Sequence, residues 1–166
     1  MKGKAELLAP AGSFEKLKTA LNFGADAVYL GGKSFSLRSF SENFTAEELR
    51  EGIRYAHERG RKVYVTVNIF AKNAGFPALS DTLAYLQEIG ADAALVTDPG
   101  VFSLAKKVAP KLNLHISTQA NTTNQYAAKF WQEQGAERVV LARELSLAEI
   151  AQIHAYCPDL HLEACI

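Results

Sequence analysis

The sequence predicts an α/β fold of the TIM-like (β/α) barrel kind, with parallel strands, seven strand units and the eighth missing. Three observations predict it. Short apolar runs recur along the chain at Glu6–Ala9, Ala27–Leu30, Lys62–Val67, Ala93–Thr97, Leu112–Ser117, Arg138–Ala142 and Leu160–Ala164, as strands buried on both faces require. Three boundaries repeat, as Gly24-Ala25-Asp26, Gly90-Ala91-Asp92 and Gly135-Ala136-Glu137, each setting a helix-stopping glycine just before a strand. Polar side chains then gather where strands stop, above all from Ser117 to Asn124 and at Arg143-Glu144. In α/β proteins that edge is where ligands bind.

Each connecting segment carries its own helix signals. Ser13 precedes Phe14, Leu17 and Leu21, spaced three and four apart, and Gly24 ends the stretch. Thr45 and Glu48 have the spacing of a capping box ahead of Leu49, Ile53 and Ala56. Leu83, Leu86 and Ile89 lead to Gly90, and Pro99 suits a first helical turn after Asp98. An amphipathic stretch runs from Gln125 to Gln134 and closes at Gly135, with Asn124 placed to cap it. Ser146 and Glu149 form a second capping-box pattern, and Pro158 bars continuation. A doubly wound sheet would carry a phosphate-binding glycine fingerprint after the first strand, and Pro10-Ala11-Gly12-Ser13 is not one. A closed barrel has eight strands and about 250 residues. These 166 residues therefore predict one domain, residues 1–166, a truncated or fragmentary barrel whose last wall is supplied elsewhere. Its open strand edges predict pairing with another chain, such as a homo-oligomer.

Composition narrows the function. The formal net charge is +0 and charged residues make up 22% of the chain, so no global field draws nucleic acid or a membrane, and RNA contact needs a local patch. No apolar run approaches the roughly 20 residues of a membrane span. Two cysteines, Cys157 and Cys165, build no disulfide framework, and a reduced, cytoplasmic setting is the expectation. The chain has no His-Glu-x-x-His and no paired cysteine motif, so no metal site is expected.

The strand ends supply the candidate substrate-binding residues: Arg38, Asn68, Ser117, Gln119, Asn121, Arg143, Glu144 and Glu163. Arg38 and Arg143 offer forked, permanent cations to a carboxylate or phosphate. Arg143 has a plainer alternative, an ion pair with Glu144 or Glu163 bracing the rim. The amides of Asn68, Gln119 and Asn121 suit a base edge or an organic ligand. The aromatics Phe35, Phe40, Phe44, Phe70 and Phe76 lie in or beside two long loops, where they either stack a base or cover the barrel. Of the histidines, His57 and His154 fall on helices, and His115 and His161 in the amino halves of strands. None is placed to activate Ser13 or Ser117 as a triad base would.

Several stretches are long enough to carry a resemblance: Glu6-Leu-Leu-Ala-Pro-Ala-Gly-Ser-Phe14, Gly24-Ala-Asp-Ala-Val-Tyr-Leu-Gly-Gly32, Tyr55-Ala-His-Glu-Arg-Gly60, Val63-Tyr-Val-Thr-Val-Asn68, Ser117-Thr-Gln119 and Val140-Leu-Ala-Arg-Glu-Leu-Ser146. Over nearly its whole length the chain resembles the N-terminal part of the collagenase-like peptidase family U32. The resemblance implies a (β/α) barrel-like catalytic portion. The family's historical label is peptidase of unknown catalytic type. Several members are implicated in hydroxylating a base of tRNA or rRNA, with prephenate as a required metabolite and an iron–sulfur cluster, and others in oxygen-independent ubiquinone synthesis. The cluster cysteines of the family begin just beyond a segment like Leu162-Glu-Ala-Cys-Ile166, after a His-Gly pair that is not in this sequence. Cys157 and Cys165 do not fall on those positions, and a four-iron cluster needs about four thiolates. The expectation is therefore an RNA-base hydroxylation portion that binds a small carboxylated metabolite, has no cofactor of its own, and meets tRNA or rRNA through the full-length protein. Two alternatives stand beside it, a collagenase-like peptidase depending on Ser117 or Glu144, and a non-catalytic binding or assembly module.

Overall fold

The computed structural model describes residues 5–33 and 43–166. Seven strands form one sheet in sequential order, every neighbouring pair parallel: β1 (Leu8–Pro10), β2 (Ala27–Gly31), β3 (Lys62–Val67), β4 (Ala93–Val96), β5 (Asn113–Ile116), β6 (Arg138–Val140) and β7 (His161–Glu163). Between them run α1 (Phe14–Asn22), α2 (Ala46–His57), α3 (Phe76–Glu88), α4 (Pro99–Val108), α5 (Gln125–Gln134) and α6 (Leu147–Tyr156). This is an open half-barrel of seven parallel strands. The first strand sits later than its apolar run suggests, at Leu8–Pro10. The Leu7 amide goes to the Asp26 carboxylate at 3.0 Å rather than to a strand ladder, which leaves Glu6 ahead of the strand.

The helix starts follow the side-chain caps. Ser13, Asp98 and Asn124 accept backbone N–H groups of the first turns of α1, α4 and α5, and Thr45 and Ser146 form complete capping boxes. The repeated Gly-Ala-acid boundary has a three-part physical account. Gly24, Gly90 and Gly135 take φ of 98°, 78° and 91°, a region that L side chains avoid, and so turn the chain out of its helix. The alanine that follows is buried in each case. At two of the three boundaries the acid then accepts the backbone N–H at the foot of the preceding strand: Asp26 from Leu7, and Asp92 from Val63 at 2.7 Å. Asp26 also holds Arg61, and Asp92 holds His57, both at 2.8 Å.

Side chains alternate across the sheet. Val28, Leu30, Val63, Val65, Val67, Ala94, Val96, Leu114, Ile116 and Val139 face the helices and join Leu17, Ile53, Leu83, Leu86, Trp131 and Ile153 in the main core. The opposite, concave face carries a smaller apolar cluster of Ala27, Tyr64, Ala93, Leu95 and Val140, with Leu8 and Tyr29 packed against it. Phe44 is not a cover for the barrel: it is 3% exposed, within the main core.

Candidate functional site at the barrel mouth

The concave face has two polar levels. The lower level gathers at the amino ends of the strands. Arg138, the first residue of β6, donates from Nη1 to Glu6 Oε1 at 2.8 Å and lies 3.4 Å from Glu163 Oε2. Tyr64 donates its hydroxyl to the same Glu6 oxygen at 2.7 Å, and Lys62 Nζ sits 3.2 Å from the other oxygen. The Arg138 guanidinium also lies over the Tyr64 ring at 5.2 Å, and that ring meets His115 edge-on at 4.7 Å. Glu6 and Arg138 are 132 residues apart, so this contact ties the foot of β1 to β6 and sets the curl of the sheet.

Electrostatics separate the members of this floor. Burial alone would raise the Glu6 carboxyl, but the Tyr64 hydroxyl, Arg138 and Lys62 outweigh it and hold the pKa at about 2. Tyr64 is pushed up, first by burial and then by its bond to Glu6. Burial, reinforced by the positive charge of Arg138, lowers His115 to about 3. At neutral pH His115 is therefore uncharged, and its 3.4 Å approach to Glu137 is a polar contact rather than an ion pair. Glu163 is raised by burial against the pull of Arg138.

The upper level is the mouth, at the carboxyl ends of the strands. Asn68, just past β3, donates from Nδ2 to Gln119 Oε1 at 2.8 Å, so the third and fifth strands meet across the opening. Ser117 caps β5, is 4% exposed, and gives its backbone N–H to Val96. It begins the short 3-10 turn Thr118–Ala120, which Asn121 closes in the left-handed region at φ 54°. Thr118 donates its hydroxyl to Leu141 O, and Ala142 N donates to Thr122 O, fixing this loop against β6. Arg143 and Glu144 follow on the same edge, both exposed.

Of the residues predicted for the site, Asn68, Ser117, Gln119, Asn121, Arg143 and Glu144 lie at this one end of the sheet. Arg38 lies outside the described residues, as do Phe35 and Phe40. Glu163, the last residue of β7, turns instead to Arg138 of the floor, so the brace considered for Arg143 is made by Arg138. Sequence reasoning missed Thr97, whose hydroxyl at the end of β4 is buried with no protein partner among the described residues; the Thr122 hydroxyl, within the polar run from Ser117 to Asn124, is buried in the same way. Buried hydroxyls of this kind call for a polar partner, and a hydroxyl directly after an apolar strand was the available signal. Cys157 is buried, its thiol raised by that burial, and it lies in hydrogen-bond range of Gln125 O. Among the described residues no group of three or more His, Cys, Asp or Glu is placed to hold a metal, and no helix is long and apolar enough to cross a membrane.

An open parallel (β/α) barrel with a polar mouth and a charged floor is the class that these features define. The chain belongs to peptidase family U32, whose model matches residues 12–166. It is 45% identical over 98% of its length to the tRNA hydroxylation protein P1 of Bacillus subtilis, and 43% identical over 96% to the tRNA hydroxylation protein P of Escherichia coli. It covers 38% and 35% of those proteins, a little over a third. The 23S rRNA 5-hydroxycytidine C2501 synthase of Escherichia coli is 35% identical over 91% of the chain, which covers 22% of it. Among solved structures, the U32 peptidase Mk0906 superposes with a TM-score of 0.76 at 18% identity, over 99% of this chain and 70% of that one. An oxaloacetate acetylhydrolase superposes at 0.67 and 12%, over 96% and 65%. At those identities the likeness concerns the fold alone.

Proposed function

We propose that this chain is the catalytic-barrel portion of a U32 protein that acts in hydroxylating a tRNA or rRNA base with a prephenate-like carboxylated metabolite. The observation that carries this reading is the 45% identity to a protein named for tRNA hydroxylation, sustained over 98% of the chain. The mouth supplies suitable chemistry. Asn68 and Gln119 orient an uncharged heterocycle by hydrogen bonds, and Arg143 offers a bidentate cation to a metabolite carboxylate. Ser117, Asn121 and Glu144 complete the rim, and Arg38 is a second candidate cation.

An iron–sulfur cluster, implied by the family resemblance, does not fit the residues of this chain. Its two cysteines differ in setting, Cys157 buried with a raised thiol and Cys165 exposed, and a cluster needs about four thiolates. The cluster, an eighth barrel strand and the remaining RNA contacts belong to the longer protein in this reading, which works in the cytoplasm.

Peptide hydrolysis is the weaker reading. His57 is held by Asp92 at the feet of the strands, and His115 is buried in the floor, so neither stands beside Ser117 as a base.

The test is mass spectrometry of nucleosides from tRNA and rRNA of a strain lacking the gene. Loss of a hydroxylated base, restored by the wild-type gene, is the expected result. An unchanged nucleoside profile contradicts the proposal. For the metabolite, prephenate should raise the thermal midpoint of the full-length protein, and Arg143→Ala should abolish the shift. A wild-type protein that shows no shift excludes the metabolite site.

A further inference from the structure

Phe70 stands out among the aromatic side chains of the mouth. It lies in the loop that leaves β3, two residues beyond Asn68, and is 83% exposed. Lys72, two residues further on, is exposed as well. Single exposed apolar residues are common and by themselves mean little. What distinguishes Phe70 is its place, on the same strand end as the amide that reaches across the opening to Gln119. Phe44 and Phe76, the other described aromatics flanking these loops, are drawn into or against the core, so Phe70 alone of the three is turned to solvent.

We infer that Phe70 is a stacking platform for the pyrimidine base that enters the mouth, and that Gln119 reads the base's edge. The inference rests on the RNA-base reading above. An enzyme acting on a base within folded RNA must take that base out of its stack and replace the lost stacking with its own side chains. A phenyl ring at the lip supplies that replacement, and it tolerates either pyrimidine because both present a π face. In the Asn68–Gln119 bond Gln119 accepts through Oε1, so its Nε2 amide group is the donor end. The O2 carbonyl, common to uracil and cytosine, is the matching acceptor. Lys72 is a cation for the adjoining phosphate.

The experiment uses full-length protein and a short fluorescent oligouridylate. Phe70→Leu keeps an apolar side chain but removes the ring, and should weaken binding roughly tenfold, the loss of one base stack. Phe70→Trp should keep the affinity and add an exposed indole whose emission is quenched by the oligomer. The same titration of wild-type full-length protein gives the background, and the difference isolates the new indole. If wild-type protein binds and Phe70→Leu binds equally well, the stacking role is overturned while the RNA reading stands. A blue-shifted indole at position 70 that ignores the oligomer overturns it too, because it places the residue against protein. If wild-type protein does not bind, the RNA reading fails and this inference falls with it.

Discussion

The floor and the mouth of this half-barrel both line the concave face, yet they are built on opposite terms. At the floor, Glu6, Tyr64, Arg138 and Glu163 use their polar atoms on one another, within a shell where the Arg138 side chain is 11% exposed. At the mouth, Gln119, Asn121, Arg143 and Glu144 are exposed, while buried polar atoms with no protein partner among the described residues occur at both levels, the Thr97 hydroxyl above and Arg138 Nε and His115 Nδ1 below. Charges paired with one another fix shape, whereas groups turned outward at the carboxyl edge are available to a ligand. The difference argues that strong charge inside a barrel is not by itself a sign of catalysis. What matters is whether the charges are already spoken for.

Breaking the floor should produce the largest effect. Arg138→Leu leaves Glu163 without its cation and Glu6 with Lys62 alone, and removing one partner of a buried pair costs about 3–5 kcal/mol. Urea titration should show that loss, and a change under about 1 kcal/mol would mean the pair is an ordinary surface contact.

Acid should act on the floor next. His115 is lowered to about 3 and Glu6 to about 2. For both groups the unfolded chain binds a proton more readily than the folded one, so stability falls as pH drops: through pH 6.5 to 3 for His115, and through 4.5 to 2 for Glu6. Glu163, with its raised carboxyl, works in the opposite sense. His115→Gln should flatten the pH dependence of unfolding between 6.5 and 3, by at most about 1.4 kcal/mol per pH unit. An unchanged slope would remove His115 from the account.

Smaller still are the helix caps, which belong to neither level. Ser146→Ala removes the capping box of α6 and should cost about 1 kcal/mol in thermal unfolding. Substitutions at the mouth should be smallest of all in stability. Arg143→Ala is expected to stay within about 0.5 kcal/mol of wild type while removing metabolite binding. A large loss of stability there would erase the contrast between the two levels.

The sequence made the frame legible because its signals are local. Ser13, Thr45, Asn124 and Ser146 cap the helices they precede, and the glycine of each Gly-Ala-acid boundary turns out of its helix. Most of the mouth was legible too, since residues that follow strands in a parallel sheet share one end. The floor was not, because it depends on curvature. Glu6 meets Arg138 across 132 residues only once the sheet has curled, and no spacing in the sequence announces that. Glu163 does lie in β7, but its partner was not legible for a related reason. The register that sets it beside Val140 brings it within reach of Arg138, two residues further back, rather than Arg143 beyond the strand.

The most direct test of the mouth is a gene carrying Asn68→Ala together with Gln119→Ala, returned to a strain that lacks the wild-type copy. The account predicts a protein that melts with the wild type and restores no hydroxylated base to the RNA. Full restoration by that double variant would contradict it.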